Sequence, residues 1–176
     1  MNSPCGVISN DDLEVRILED DIVTIEATST GLYSYSSTLG GKITIPSCLI
    51  TSYSIQGYVK QDIGSQDANG YYKITKKTYE EIARNPDPYK FQNITFKAKV
   101  VQVVEGSGGN NVYRVAVDSD SNCMFYVEYT LPSGSSRILK NDVVTLKGMY
   151  FGIYTYETTM GGSVSVPALL ATEMKK

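Results

Sequence analysis

The sequence predicts an all-β chain with one short helix: a closed five-stranded barrel, and ahead of it an incomplete second copy of the same unit. Three observations predict this. Residues 31–46, GLYSYSSTLGGKITIP, return as GIYTYETTMGGSVSVP at 152–167. Between the two copies run short β-rich stretches of period-two alternation, separated by Gly/Ser/Asn turns. The one clear helical stripe is TYEEIARNP, at 78–86.

The repeat fixes the last two strands. Arg16–Thr51 lies on Arg137–Thr172 without a gap, RILEDDIVT meets RILKNDVVT, and about fifteen of the 36 positions are identical. A gapless match of this length means two copies of one supersecondary unit. In the second copy Val143–Met149 is a strand with Val144 and Leu146 inward. Thr155–Gly162 is the connection, where Gly161-Gly162 supplies positive φ, and Ser163–Val166 returns with Val164 and Val166 inward. Pro167 has no N–H to donate, so the strand is expected to become an edge or leave the sheet there.

Three more strands precede that copy. Asn93–Val104 is long, alternating at first and then apolar throughout; EGSGGNN at 105–111 turns it into Val112–Val117. Ser119–Asn122 turns again, and Met124–Tyr129 runs back to a Pro/Gly/Ser loop, Leu131–Ser136. Five strands, a long first one and a non-helical link between the third and fourth point to an OB-type barrel. Ahead of it, Thr78 and Glu81 have the spacing of a capping box, Tyr79, Ile82 and Ala83 form the apolar stripe, and Asn85-Pro86 ends the helix, expected near 78–85. The expected organisation is a partial unit at 1–53 (strands four and five only), a polar linker at 54–77 with one local hairpin, and helix plus complete barrel at 78–176.

The first copy is short. Only 15 residues precede Arg16, where the second copy has about 60 between its helix and Arg137. Either the sequence starts late or the missing strands come from another molecule. Ile22, Ile25, Ile43 and Ile45 carry the alternation of barrel strands and require cover. Residues 13–51 are therefore expected to pack on the second domain or to be completed by a partner copy, as in a swapped or otherwise homodimeric assembly.

Composition narrows the function classes. With 16 basic against 19 acidic residues, the chain is ill-suited to tight, sequence-blind binding of phosphate backbones. It contains no histidine, which removes the usual general base near neutral pH and every Ser-His or Cys-His pair. The three cysteines, Cys5, Cys48 and Cys123, form no CxxC, so no zinc is expected; Cys48 aligns with Leu169 and reads as a small apolar side chain. DSDSN at 118–122 begins like a calcium loop, but Cys123 replaces the required glycine and Tyr129 the bidentate glutamate, so it reads as a solvated turn. EGSGGNN lacks the GK[ST] and the following helix of a phosphate loop. Neither a metal nor a cofactor is expected. No run of about 18 apolar residues occurs, so no membrane span is expected, and MNSPCG has no apolar stretch before Cys5 to make a signal peptide or lipobox.

What remains are candidate ligand-binding residues. Tyr154 and Tyr156, echoed by Tyr33 and Tyr35, are spaced by two and share a strand face. They either stack on bases or sugars or close the barrel end through their hydroxyls. Arg137 and its counterpart Arg16 either bind a ligand anion or pair with Asp142 and Asp21.

TYEEIARNPDPYKFQNITFKAKVVQV, SRILKNDVVTLKG and the Y-x-Y-x-x-T-x-GG hairpin together resemble the OB-fold "tRNA-anti-like" proteins, mostly secreted or lipid-anchored in Gram-positive bacteria and their mobile elements. The resemblance covers 78–174 and, for its second half only, 13–51. It implies an extracytoplasmic location and no catalytic residues. Phe91 departs from it, standing where a turn glycine is expected. The expected function is a non-enzymatic binding module recognising a protein or a glycan. The alternative is single-stranded nucleic-acid binding through the tyrosine loop, which requires Lys97, Lys99, Arg114, Arg137 and Lys147 to converge on one face.

Overall fold

The computed structural model describes residues 13–18, 21–37, 40–157 and 162–176. The chain divides into two compact units, Met1–Val59 with Thr158–Gly162, and Lys60–Glu157 with Ser163–Lys176.

The first unit is a hairpin of β1 (Val23–Ser36) and β2 (Lys42–Ile55), paired antiparallel along their whole length. Tyr53 ties the preceding segment to it: its hydroxyl donates to the Val15 carbonyl at 2.8 Å and accepts from the Val15 N–H at 2.7 Å. Its apolar residues are largely uncovered. Ile22, Ile25 and Ile43 are exposed, Ile45 is buried, and Cys48 is half-buried.

The second unit opens with a strap. Residues 60–75, expected as linker, bury Ile63 and Ile74, turn at Asp67–Gly70, and add a short strand β3 (Tyr72–Lys73) parallel to the start of β4 (Asn93–Glu105). The helix α1 spans Lys76–Arg84, two residues earlier than expected at its start. Its capping box is Thr75 with Thr78, whose hydroxyl accepts the Thr75 N–H at 2.9 Å. Glu81 does not cap. It is fully buried and accepts the Gln61 N–H and an Asn85 amide N–H, each at 2.9 Å, fastening strap to helix.

The barrel consists of β4, β5 (Asn110–Val117), β6 (Met124–Thr130), β7 (Val143–Glu157) and β8 (Ser163–Lys175). The order is β4-β5-β6-β8-β7, and β7 pairs back onto β4. All contacts are antiparallel except β6 with β8. This is the closed five-stranded OB-type barrel. β4 makes closure feasible because it is long enough to serve two neighbours. Its first half pairs with β7 and its second half with β5, with a bulge between Val100 and Gln102. Phe96, Phe125 and Leu146 fill the interior, Phe96 and Phe125 stacking at 4.5 Å.

The helix plugs one end. Ile82 is fully buried, and the Tyr79 hydroxyl donates to the Met124 carbonyl at 2.7 Å. DSDSN sits at that end and helps to cap α1, its Asp118 carboxylate accepting the Lys76 N–H at 2.9 Å while Asp120 pairs with the Lys76 ammonium. After α1 the chain bends through Phe91, which adopts φ +67, the left-handed conformation in which a glycine is cheaper.

The two hairpins coincide residue by residue. Tyr33 faces Ile45 as Tyr154 faces Val166, and the bulges at Glu26/Ala27 and Ser29/Gly31 recur at Lys147/Gly148 and Tyr150/Gly152. Gly31 and Gly152, at φ +104 and +98, make the second bulge feasible. The cross-strand hydroxyl bond Ser34–Thr44, 2.7 Å, recurs as Thr155–Ser165, 2.7 Å. Pro167 does not end its strand. β8 continues to Lys175, and pairing with β6 begins only at Ala168, so Pro167 lies where one side is still an edge and needs no N–H. The expected glycine turn at Gly161-Gly162 lies partly outside the described residues.

Candidate functional site: a tyrosine cluster on the barrel face

β7 and β8 extend beyond the barrel as a two-stranded arm, and Tyr154 and Tyr156 stand on it at the spacing read from the sequence. Their rings lie 6.4 Å apart at 20°. Tyr33 and Tyr35 repeat this geometry on the first hairpin, 6.3 Å apart at 21°. The sequence reading missed a third ring. Tyr126 points outward from β6, between the inward Phe125 and Val127, and lies 4.4 Å from Tyr154 and 6.2 Å from Tyr156. The parallel register Tyr126↔Ala168 brings it there.

Arg114, outward on β5 and directly opposite Tyr126, holds its guanidinium 5.5 Å from the centre of the Tyr156 ring. It also donates weakly to the Gln102 amide oxygen, at 3.5 Å. Glu128, next outward on β6, accepts from the Tyr126 hydroxyl at 3.3 Å. Burial, then the Glu128 charge beside it, pushes the Tyr126 phenol up to about 12. The Tyr156 hydroxyl is shielded from solvent and has no hydrogen-bond partner among the described residues.

This arrangement decides what the rings can offer. Tyr126 and Tyr154 lie 4.4 Å apart with their planes tilted by 33°, so one face of each is turned to the other, and the Arg114 guanidinium lies over one face of Tyr156. With the Tyr156 hydroxyl shielded and the Tyr126 hydroxyl on Glu128, the part of the cluster most open to a ligand is Tyr154, which is 40% exposed.

The remaining sequence candidates do not gather here. Arg137 is ion-paired to Glu105 and lines a shallow depression with Val103, Gly109, Asn111 and Leu131. Its expected partner Asp142 instead accepts the Leu139 N–H at 2.7 Å and pairs with Lys176. Asp21 accepts the Leu18 N–H at 2.7 Å in the same way, so the shared R-I-L-x-x-D motif is a turn whose aspartate caps its own backbone. Arg16 lies in the first unit, just ahead of that turn. Lys147 pairs with Glu173 and sits over Tyr71, and Lys97 and Lys99 lie in the half of β4 that pairs with β7, opposite Thr145 and Val143. Of the five cations that a nucleic-acid groove required, Arg114 alone stands at the tyrosines. Cys123 is buried, and burial raises its thiol to about 11, which keeps it in the unreactive protonated form.

Among the described residues no helix is long and apolar enough to cross a membrane. Comparison of the chain with protein-family models, with curated proteins and with solved structures finds no match.

Proposed function

We propose that this chain is a non-enzymatic binding module of the OB-fold "tRNA-anti-like" type, acting outside the cytoplasm, and that it recognises a protein through the Tyr126–Tyr154–Tyr156 cluster. The carrying observation is the mutual packing of the rings: Tyr126 against Tyr154 at 4.4 Å and a 33° tilt, with Arg114 over Tyr156. A base or a sugar ring is bound by an open aromatic face, and here one face of each ring is turned to another ring or to Arg114. Tyrosines clustered beside an arginine are the composition of protein-recognition surfaces. The cluster also lies on the second and third barrel strands and the arm beyond them, the face that OB folds use for ligands, although that is support by analogy of fold.

A glycan ranks second within this reading. A single-stranded nucleic acid ranks third, because the basic residues that would neutralise its phosphates are dispersed.

The test is a photo-crosslinkable amino acid at Glu128, exposed beside Tyr126, in the intact chain, followed by purification of the protein it captures. The reading expects that protein to bind the wild-type chain in isolation, and Tyr154→Ala with Tyr156→Ala to weaken binding at least about tenfold, since an aromatic anchor is worth ~2 kcal/mol or more. Unchanged affinity in the double variant defeats the proposal.

A further inference from the structure

Between Ile22 and Ile55 the first hairpin carries two charged residues, Glu26 and Lys42. Its strand β1 pairs only with β2 among the described residues, and Ile22 and Ile25 are 66% and 40% exposed. A long edge with a single charge, Glu26, and no further strand beside it among the described residues is a template for another strand.

The second hairpin defines which strand fits. There the edge equivalent to β1's is taken by β4, antiparallel, with Ile94, Phe96 and Ala98 facing Gly148, Leu146 and Val144 on the core side. On the outer side Thr95 faces Lys147 and Lys97 faces Thr145. The strand required beside β1 is thus antiparallel, apolar at alternate positions, and uncharged where it meets Glu26. β1 itself has that pattern: Val23, Ile25 and Ala27 alternate with Thr24, Glu26 and Thr28.

We propose that β1 pairs antiparallel with β1 of a second copy of this chain, with Ile25 on the two-fold axis, to give a continuous four-stranded sheet. In this register Val23, Ile25 and Ala27 of the partner subunit take the places that Ile94, Phe96 and Ala98 hold beside β7. Thr24 meets the partner's Glu26, as Thr95 meets Lys147. Centring the axis one residue further, on Glu26, sets two carboxylates face to face. An odd shift turns the apolar residues of one strand onto the polar face of the other. A true swap of β1–β2 into the barrel of another copy is ruled out by size, because Ser29 and Cys48 would replace the buried Tyr150 and Leu169. The proposal does not depend on what the tyrosine cluster binds.

Light scattering coupled to size exclusion on the full chain, over a dilution series, is expected to give twice the monomer mass at high concentration and monomer for Ile25→Lys. The register is read by oxidation. Ile25→Cys is expected to form a 25–25 disulfide between chains, because directly opposed residues have Cα atoms about 4.5–5.5 Å apart. Thr28→Cys is expected not to link to itself, since six residues of offset separate the two copies by about 20 Å. The linked peptides, identified by mass spectrometry, keep the native cysteines from confusing the result. A wild-type chain that is monomeric throughout, its β1 edge covered from within, overturns the proposal. So does a dimer in which the cysteine at 28 links and that at 25 does not, or one that survives Ile25→Lys.

Discussion

Replacing Tyr150 by phenylalanine removes one oxygen from the middle of the barrel and leaves the packing intact. Tyr150 is fully buried, and its hydroxyl donates to the Ile82 carbonyl at 2.8 Å. In a longer helix that carbonyl would accept the amide four residues on, but residue 86 is proline and has none. The tyrosine therefore satisfies an acceptor that the end of α1 leaves bare, and it joins helix to barrel. The ring remains in the variant, so no cavity forms. The cost is that of one buried carbonyl left without a partner, about 1–3 kcal/mol. For a barrel of this size each kcal/mol lowers the midpoint by roughly 4–8 °C. Tyr150→Ala adds the cavity and raises the loss to about 3–5 kcal/mol. Thermal and urea unfolding followed by circular dichroism measure both, with Tyr154→Phe on the exposed arm as the control. A Tyr150→Phe protein within about 0.5 kcal/mol of wild type would refute the argument that this hydroxyl closes the helix end.

Further outcomes follow from the same packing. Gly148→Ala places a Cβ 2.3 Å from the Leu170 carbonyl oxygen and should cost about 1–3 kcal/mol through forced backbone movement, again read by urea unfolding. Glu81→Ala unties Gln61 and Asn85 and should lower stability by at least about 2 kcal/mol, with faster amide exchange along 60–66. Toward acid, Asp120 is held below the ordinary carboxylate value by its bond to Lys76, and Asp142 by the Leu139 amide and then Lys176. Their stabilisation is full above the unfolded value near pH 4 and is lost as pH falls through the folded values, so Asp120→Asn should flatten the acid limb of a stability–pH curve. Toward alkali the sign reverses. Tyr126 ionises at about 12 when folded and near 10 when unfolded, so stability should fall above about pH 10, and less steeply in Tyr126→Phe.

The barrel was legible because its signals are local. Alternation located every barrel strand, although Thr155–Glu157, expected in the connection, continue β7, and the duplicated hairpin announced its own register, since identical tyrosines and prolines pin one copy on the other. The start of α1 was misplaced because Lys76 and Lys77 carry no apolar signal and the capping partner is Thr78 rather than an acid. The strap 60–75 read as linker because Ile63 and Ile74 are lone apolar residues in a polar run, and burial of single side chains leaves no period. Half of the site was visible. Tyr154 and Tyr156 stood out by their repetition, whereas Tyr126 and Arg114 join them only through barrel closure, above all the parallel contact of β6 with β8, which neighbouring residues do not encode. The Arg137–Glu105 pair is long-range for the same reason, 32 positions apart in sequence.

The sharpest measurement is a titration of the full chain with a fluorescently labelled single-stranded oligonucleotide, read by anisotropy at about 50 and about 200 mM salt. With the rings packed against one another and against Arg114 and the cations dispersed, the expectation is weak binding that vanishes at the higher salt and does not change in Tyr154→Ala/Tyr156→Ala. Nanomolar, salt-resistant binding that the double variant loses by about 1–3 kcal/mol per stacked base would contradict it.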